Sequence, residues 1–298
     1  MLDETRVTTM TDNDARARRR AALAGALDAE TFQSLASAIA VDVGAASVSG
    51  TMQPWNNEHY LALRVGRTQE TMVSSLPAAD LPGRVEEHAY ALLVADGIGE
   101  TGARASRLAL STLAHLVVKY GRWNVRIGPD TVAEIHEQSE FFYRRLHHAI
   151  ERASRAALEL IDMATSVTAL YIVEADLFYA YVGQTSAYLF RDGRLTLLTV
   201  PRQGHEPPRA LDGRHRAERI EVEHCRLEPG DRLLVCSSGL TDVLSTEQMA
   251  DALAPRRRAQ DDCQRLIELA AAAGNPDDAT ALVADYTVRG GVMPPPAE

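Results

Sequence analysis

The run Tyr90-Ala91-Leu92-Leu93-Val94-Ala95-Asp96-Gly97-Ile98-Gly99 decides the fold. Six apolar residues read as a buried strand, and the strand ends on an acid flanked by glycines, where backbone can approach an ion closely. Three other segments repeat the arrangement. Asn56-Asn57-Glu58-His59-Tyr60 leads into Tyr60–Val65, and Ser237-Ser238-Gly239-Leu240-Thr241-Asp242 follows Arg232–Cys236. Asn275-Pro276-Asp277-Asp278-Ala279-Thr280 leads into Thr280–Tyr286. Each neighbouring run reads as a buried strand. Carboxylates at the ends of strands far apart in sequence are how a β-rich fold assembles oxygen ligands around a hard cation.

Between these segments the pattern alternates in kind. Apolar residues at helical spacing mark Ala103–Lys119 and Thr131–Ile161. Strands are expected from Ile39 to Gly44, at Ser166–Val173 and at Leu177–Val182. Ala187–Arg191 turns through Asp192-Gly193 into Arg194–Thr199, a hairpin signal. Pro201–Ala217 reads as a loop, Arg219–Leu227 as a strand, and Thr246–Leu253 and Cys263–Ala273 as helices. Strands at both ends around two long central helices suggest a layered α+β domain. Residues 1–35, with Arg16, Arg18, Arg19 and Arg20, are expected to be a polar, solvated arm; 36–288 form the domain and 289–298 a Pro-rich tail.

Composition excludes several classes. A chain of 298 residues with 46% hydrophobic content can bury a large core, and a formal charge of −10 argues against sequence-independent nucleic-acid binding. No stretch approaches the roughly 20 apolar residues of a membrane span, and the start lacks a signal-peptide core, so a cytoplasmic protein is expected. Cys236 and Cys263 are expected to be buried, reduced thiols, and Cys225 has no partner spacing. The nine histidines show no His-x-x-x-His spacing, and His147-His148 on a helix reads as solvated.

The four acidic segments together resemble the metal-dependent PP2C-type (PPM) serine/threonine phosphatases, over roughly Val41 to Tyr286. The resemblance implies a β-sandwich of two antiparallel sheets flanked by helices. It implies that Asp96 bridges two Mn²⁺ or Mg²⁺ ions, with the Gly97 carbonyl ligating one, and that Ala105-Ser106-Arg107 continues the same element. By the same resemblance Asp277 is a ligand of the first metal, Glu58 holds metal-bound water and Asp242 serves a third, weaker ion. Glu58 and Asp96 are the positions closest to catalysis, in which a metal-activated water attacks a phosphoserine or phosphothreonine.

The chain departs from the family pattern mildly at Glu58 (Asp is usual), Asp278 (Asn is usual) and Gly102-Ala103 (Gly-Glu is usual), and at three positions more seriously. Ser238 stands where a direct carboxylate ligand is usual, Gln184 where a third-metal acid is usual, and Gln53 where an arginine grips the phosphate. A hydroxyl lacks the charge a hard ion needs, and an amide cannot replace the bidentate guanidinium fork. The expectation is therefore a pseudophosphatase with at most one weakly held Mn²⁺ or Mg²⁺. It would act by binding a phosphoprotein or a serine/threonine kinase, without nucleic acid or membrane. The alternative is an active, weak or partner-dependent phosphatase.

Overall fold

The structure, a computed structural model, describes residues 39–288 except 78–80, 82–83, 129, 157–162, 201–209, 213–219 and 221. The expected arm and tail lie outside the described residues, as does most of the expected 201–217 loop. The chain divides into two units: a large one holding 39–67 and 87–288, and a small one holding the described residues of 68–86.

Among the described residues, ten strands form two five-stranded sheets. In chain order they are β1 (Ile39–Val48), β2 (Glu58–Gln69), β3 (Val85–Ile98), β4 (Ala164–Val173), β5 (Asp176–Val182), β6 (Ser186–Arg191), β7 (Arg194–Leu197), β8 (Val222–Arg226), β9 (Arg232–Cys236) and β10 (Ala279–Val288). One sheet has the order β1-β10-β9-β6-β7 and the other β2-β3-β4-β5-β8. Helices α1 (Gly102–Tyr120) and α2 (Thr131–Ala156) follow β3. α3 (Ser238–Thr241), α4 (Thr246–Leu253) and α5 (Ala259–Ala272) lie between β9 and β10. α4 opens on a capping box in which Ser245 and Gln248 bond each other's backbone N–H.

The period-2 alternation of the strands builds the layers. On β3, Tyr90, Leu92 and Val94 face the core shared by the two sheets, where they meet Leu233, Val235, Leu282, Ala284 and Tyr286. Ala91, Leu93 and Ala95 point the other way and pack on Ala105, Ala109 and Leu110 of α1 and Leu146 and Ile150 of α2. The far sheet repeats the scheme: Leu234, Cys236, Ala281 and Val283 pack on Leu240, Leu253, Cys263 and Leu266. The result is helices, sheet, sheet, helices, the antiparallel sandwich the sequence suggests.

Several expectations need correction. Tyr60–Val65 is not a buried strand: β2 lies at its sheet's edge, and Tyr60, Leu61 and Leu63 are exposed or half-buried, with only Glu58 and Val65 buried. An edge strand with one face toward solvent needs only one apolar side. β2 also runs past Val65, and α2 is described to Ala156, the rest of the expected Thr131–Ile161 helix lying outside the described residues. α5 begins at Ala259, four residues before the sequence reading, because Ala259 and Cys263 continue the buried stripe of Leu266 and Ala270. The Asp192-Gly193 turn is as expected, both residues having the positive φ of a type I′ hairpin (51° and 77°). Cys236 and Cys263 are buried and free, and burial raises both thiols, Cys263 to about 12.

Candidate metal centre

Topology gathers the four acidic segments at one end of the sandwich. β9 and β10 are antiparallel neighbours with Cys236 opposite Ala281, so Ser237 and Ser238, just past β9, lie beside Asp277 and Asp278, just before β10. In the other sheet Glu58 opens β2, and Asp96 lies near the end of the neighbouring β3, opposite Ser166 of β4. Gly97 and Gly102 stack backbone on backbone: a Cβ on Gly97 would lie 2.0 Å from the Gly102 carbonyl oxygen. Gly239 meets the Asp278 carbonyl in the same way, at 1.9 Å. Any side chain at either position would force the two segments apart.

Part of this end is a fully bonded frame. Asp278, 5% exposed, accepts Gly50 N–H through Oδ1 (2.9 Å) and Asn57 N–H through Oδ2 (2.7 Å). Asn57, also 5% exposed, is the hub. Its carbonyl accepts Gly97 N–H (3.1 Å) and the Ser106 hydroxyl (2.5 Å), its Oδ1 accepts Ala103 N–H (3.0 Å), and its Nδ2 donates to Gly99 O (3.3 Å) and Gln53 Oε1 (3.2 Å). Thr165 donates its hydroxyl to the Asp96 carbonyl at 2.9 Å. Gln53 thus serves as an acceptor that steadies Asn57.

The acids within the frame are strained electrostatically. Glu58 is 5% exposed, and its Oε2 has no hydrogen-bond partner. Burial, aided by the Asp96 charge, pushes its pKa up to about 8, against smaller lowering by Thr280 and Ser237. Burial first, then Asp277, Asp278 and Asp242, raise Asp96 to about 6, while a hydrogen bond from Ser238 pulls it down. That bond runs from Ser238 Oγ to Asp96 Oδ2 at 3.4 Å, so a neutral hydroxyl stands directly beside the central carboxylate. Asp277 and Asp242 are both exposed. Gln184, also exposed, donates its backbone N–H to Ser166 Oγ (3.1 Å), on the residue opposite Asp96.

Hard oxygen donors around a buried carboxylate oxygen that lacks a partner suit Mg²⁺ or Mn²⁺ better than a softer ion. Among the described residues, however, the carboxylates of Glu58, Asp96, Asp277 and Asp242 do not bring three oxygens within 4.8 Å of one another. These oxygens would hold a divalent cation directly or through water.

The structure turns Glu58 inward, whereas the neighbouring His59 bonds the Ser106 hydroxyl through Nδ1 at 2.9 Å. Asn57, Ser106, Ser237 and Thr280 lie in the segments the sequence marks, but the sequence gives none of them a role. Ser237 accepts Thr280 N–H at 3.0 Å, and Thr280 shares a hydroxyl bond with Ser47 at 2.7 Å. A buried Ser or Thr beside a Gly-flanked acid was the available signal.

Residues 86–287 match the family described as Stage II sporulation protein E (SpoIIE). The chain is 32% identical over 227 residues to the serine/threonine protein phosphatase PstP of Mycobacterium tuberculosis, a match covering 67% of this chain and 42% of that protein. The chain therefore spans less than half the length of this mycobacterial relative. The serine/threonine phosphatase stp of Listeria monocytogenes is 25% identical over 224 residues, covering 67% of this chain and 86% of that protein. The solved catalytic domain of PstP, in complex with two manganese ions, superposes with a TM-score of 0.62 at 26% identity, covering 84% of this chain and 99% of that one.

Proposed function

This chain belongs to the PP2C-type (PPM) family of metal-dependent serine/threonine phosphatases, and we propose that within it the protein acts as a pseudophosphatase. Its domain, taken as residues 36–288, works by binding a phosphoprotein or a serine/threonine kinase in the cytoplasm, without contact to nucleic acid or membrane. Among the described residues no helix is long and apolar enough to cross a membrane. The observation that carries the reading is the Ser238 hydroxyl 3.4 Å from Asp96 Oδ2. A neutral group at that distance leaves the central carboxylate short of an anionic co-ligand.

In this reading Asp96, Asp277 and the Gly97 carbonyl hold at most one Mn²⁺ or Mg²⁺, weakly. Glu58 reaches it through water, and Asp242 is left for a weaker ion. Such an ion would supply water activation and charge neutralisation. A single weakly held ion clamps the developing phosphate charge poorly, and Gln53 offers no cationic fork. A second reading, weak or partner-dependent phosphatase activity, is favoured by one feature: Asp277 and Asp242 both still act on Asp96.

Hydrolysis of a chromogenic phosphate monoester in excess Mn²⁺ tests the choice. The pseudophosphatase reading expects little or no turnover. Turnover of about 1 s⁻¹ or more, abolished by Asp96→Asn, makes the protein an ordinary phosphatase.

A further inference from the structure

We propose that helix α2 carries a second metal site, for Zn²⁺ or another late first-row divalent ion, formed by His147, His148 and Glu151. The site lies outside the strand-end acids and stands whether or not those acids support catalysis.

One ligand atom from each of the three residues lies within 4.8 Å of the other two. Helical geometry explains the grouping: 147 and 151 are one turn apart on the same face, and 148 flanks them. His147 is 8% exposed, against the solvated pair expected from sequence, and its ring meets that of His148 edge to face with centroids 6.1 Å apart. Glu151 divides its oxygens. Oε1 accepts from Arg155 at 2.6 Å, and Oε2 faces His148 Nδ1 at 3.1 Å. The guanidinium therefore fixes the carboxylate while leaving the second oxygen beside the His148 ring, the outer support that ligating carboxylates usually have.

With metal–nitrogen bonds of about 2.0–2.1 Å, ligand atoms of a tetrahedral ion lie roughly 3.3 Å apart. The His148 side chain is 67% exposed, so its rotation can close the remaining gap. Two imidazoles and one carboxylate select zinc-like ions, whereas Mg²⁺ and Mn²⁺ prefer all-oxygen sets. The missed signal was a carboxylate, not a second histidine, one turn beyond His147.

The test is calorimetric titration of the full chain with Zn²⁺ at pH 7 in excess Mg²⁺, which competes for the strand-end acids. Co²⁺ absorption serves as a spectroscopic readout. About one equivalent of Zn²⁺ should bind, Asp96→Asn should leave that binding unchanged, and His148→Ala and Glu151→Gln should each weaken it tenfold or more. Both of those variants should also lose the visible band of tetrahedral cobalt. His148 is exposed, so its replacement leaves the core packing of α2 intact. Zinc uptake unchanged in both variants, no zinc uptake by the wild type, or uptake lost in Asp96→Asn would overturn the proposal.

Discussion

Asp278 and Asp96 are both carboxylates at a strand end, and they live in opposite circumstances. Asp278 gives each oxygen to a backbone N–H, from Gly50 and Asn57, and so locks one sheet's end to the segment entering the other. Asp96 has one long bond, from Ser238, and carries the charge of Asp277, Asp278 and Asp242 around it. One acid is a structural member, satisfied without any ion. The other is held where an acid is costly unless a cation or a partner neutralises it. The comparison teaches that the frame of the site and its chemistry are separable: Asp278 is satisfied by the fold's own backbone, and Asp96 is not.

The largest effect that could break this contrast is at the frame. Asp278→Ala removes two charge-assisted hydrogen bonds and strands two N–H groups, and should destabilise the protein by about 3–5 kcal/mol, lowering Tm by roughly 10 °C. Metal should not restore it. A melting curve within about 2 °C of wild type would erase the distinction drawn here.

Next is the pH dependence of the acids themselves. Glu58 has a folded pKa of about 8 against 4.5 for an ordinary glutamate. The folded protein therefore favours the protonated form, and the stability tied to it is full below about pH 4.5 and lost as pH rises through 8. In chelator the wild type should lose on the order of 2–4 kcal/mol across that window, and Glu58→Gln should lose much less. Denaturant titrations at pH 5 and 8.5 read the difference, and equal pH slopes for the two proteins would place Glu58 outside the strained cluster. The smallest effect is expected from Asp96→Asn. In chelator, relief of repulsion should raise stability by about 1 kcal/mol, whereas the Mn²⁺ response of the wild type should vanish. A destabilised variant would show that Asp96 is satisfied after all.

How much of this was legible in the sequence depends on the range of the interaction. The acids at strand ends, Asp96 after its apolar run and Asp277 before its own, the Asp192-Gly193 hairpin and the two central helices follow from local periodicity and turn chemistry. β2 was misread because five apolar residues in six do not reveal that the strand lies at an edge. The frame was illegible for a different reason. Asn57 bonds Gly97, Gly99, Ala103 and Ser106, all forty or more residues away, and Asp278 bonds residues more than two hundred positions away. No window of sequence contains both partners. Gln53 illustrates the gap: the sequence marks it as a missing arginine, while the structure gives its amide a bond to Asn57.

The central claim is that a carboxylate is missing beside Asp96, and the melting of Ser238→Asp with and without Mn²⁺ tests it most directly. In chelator the added acid should meet Asp96 and Asp277, and the variant should melt below wild type. In Mn²⁺ the order should reverse, because an ion bound only by the native state stabilises by mass action. Coincident curves in the two conditions would contradict the account, since residue 238 would then not share a site with Asp96 and Asp277.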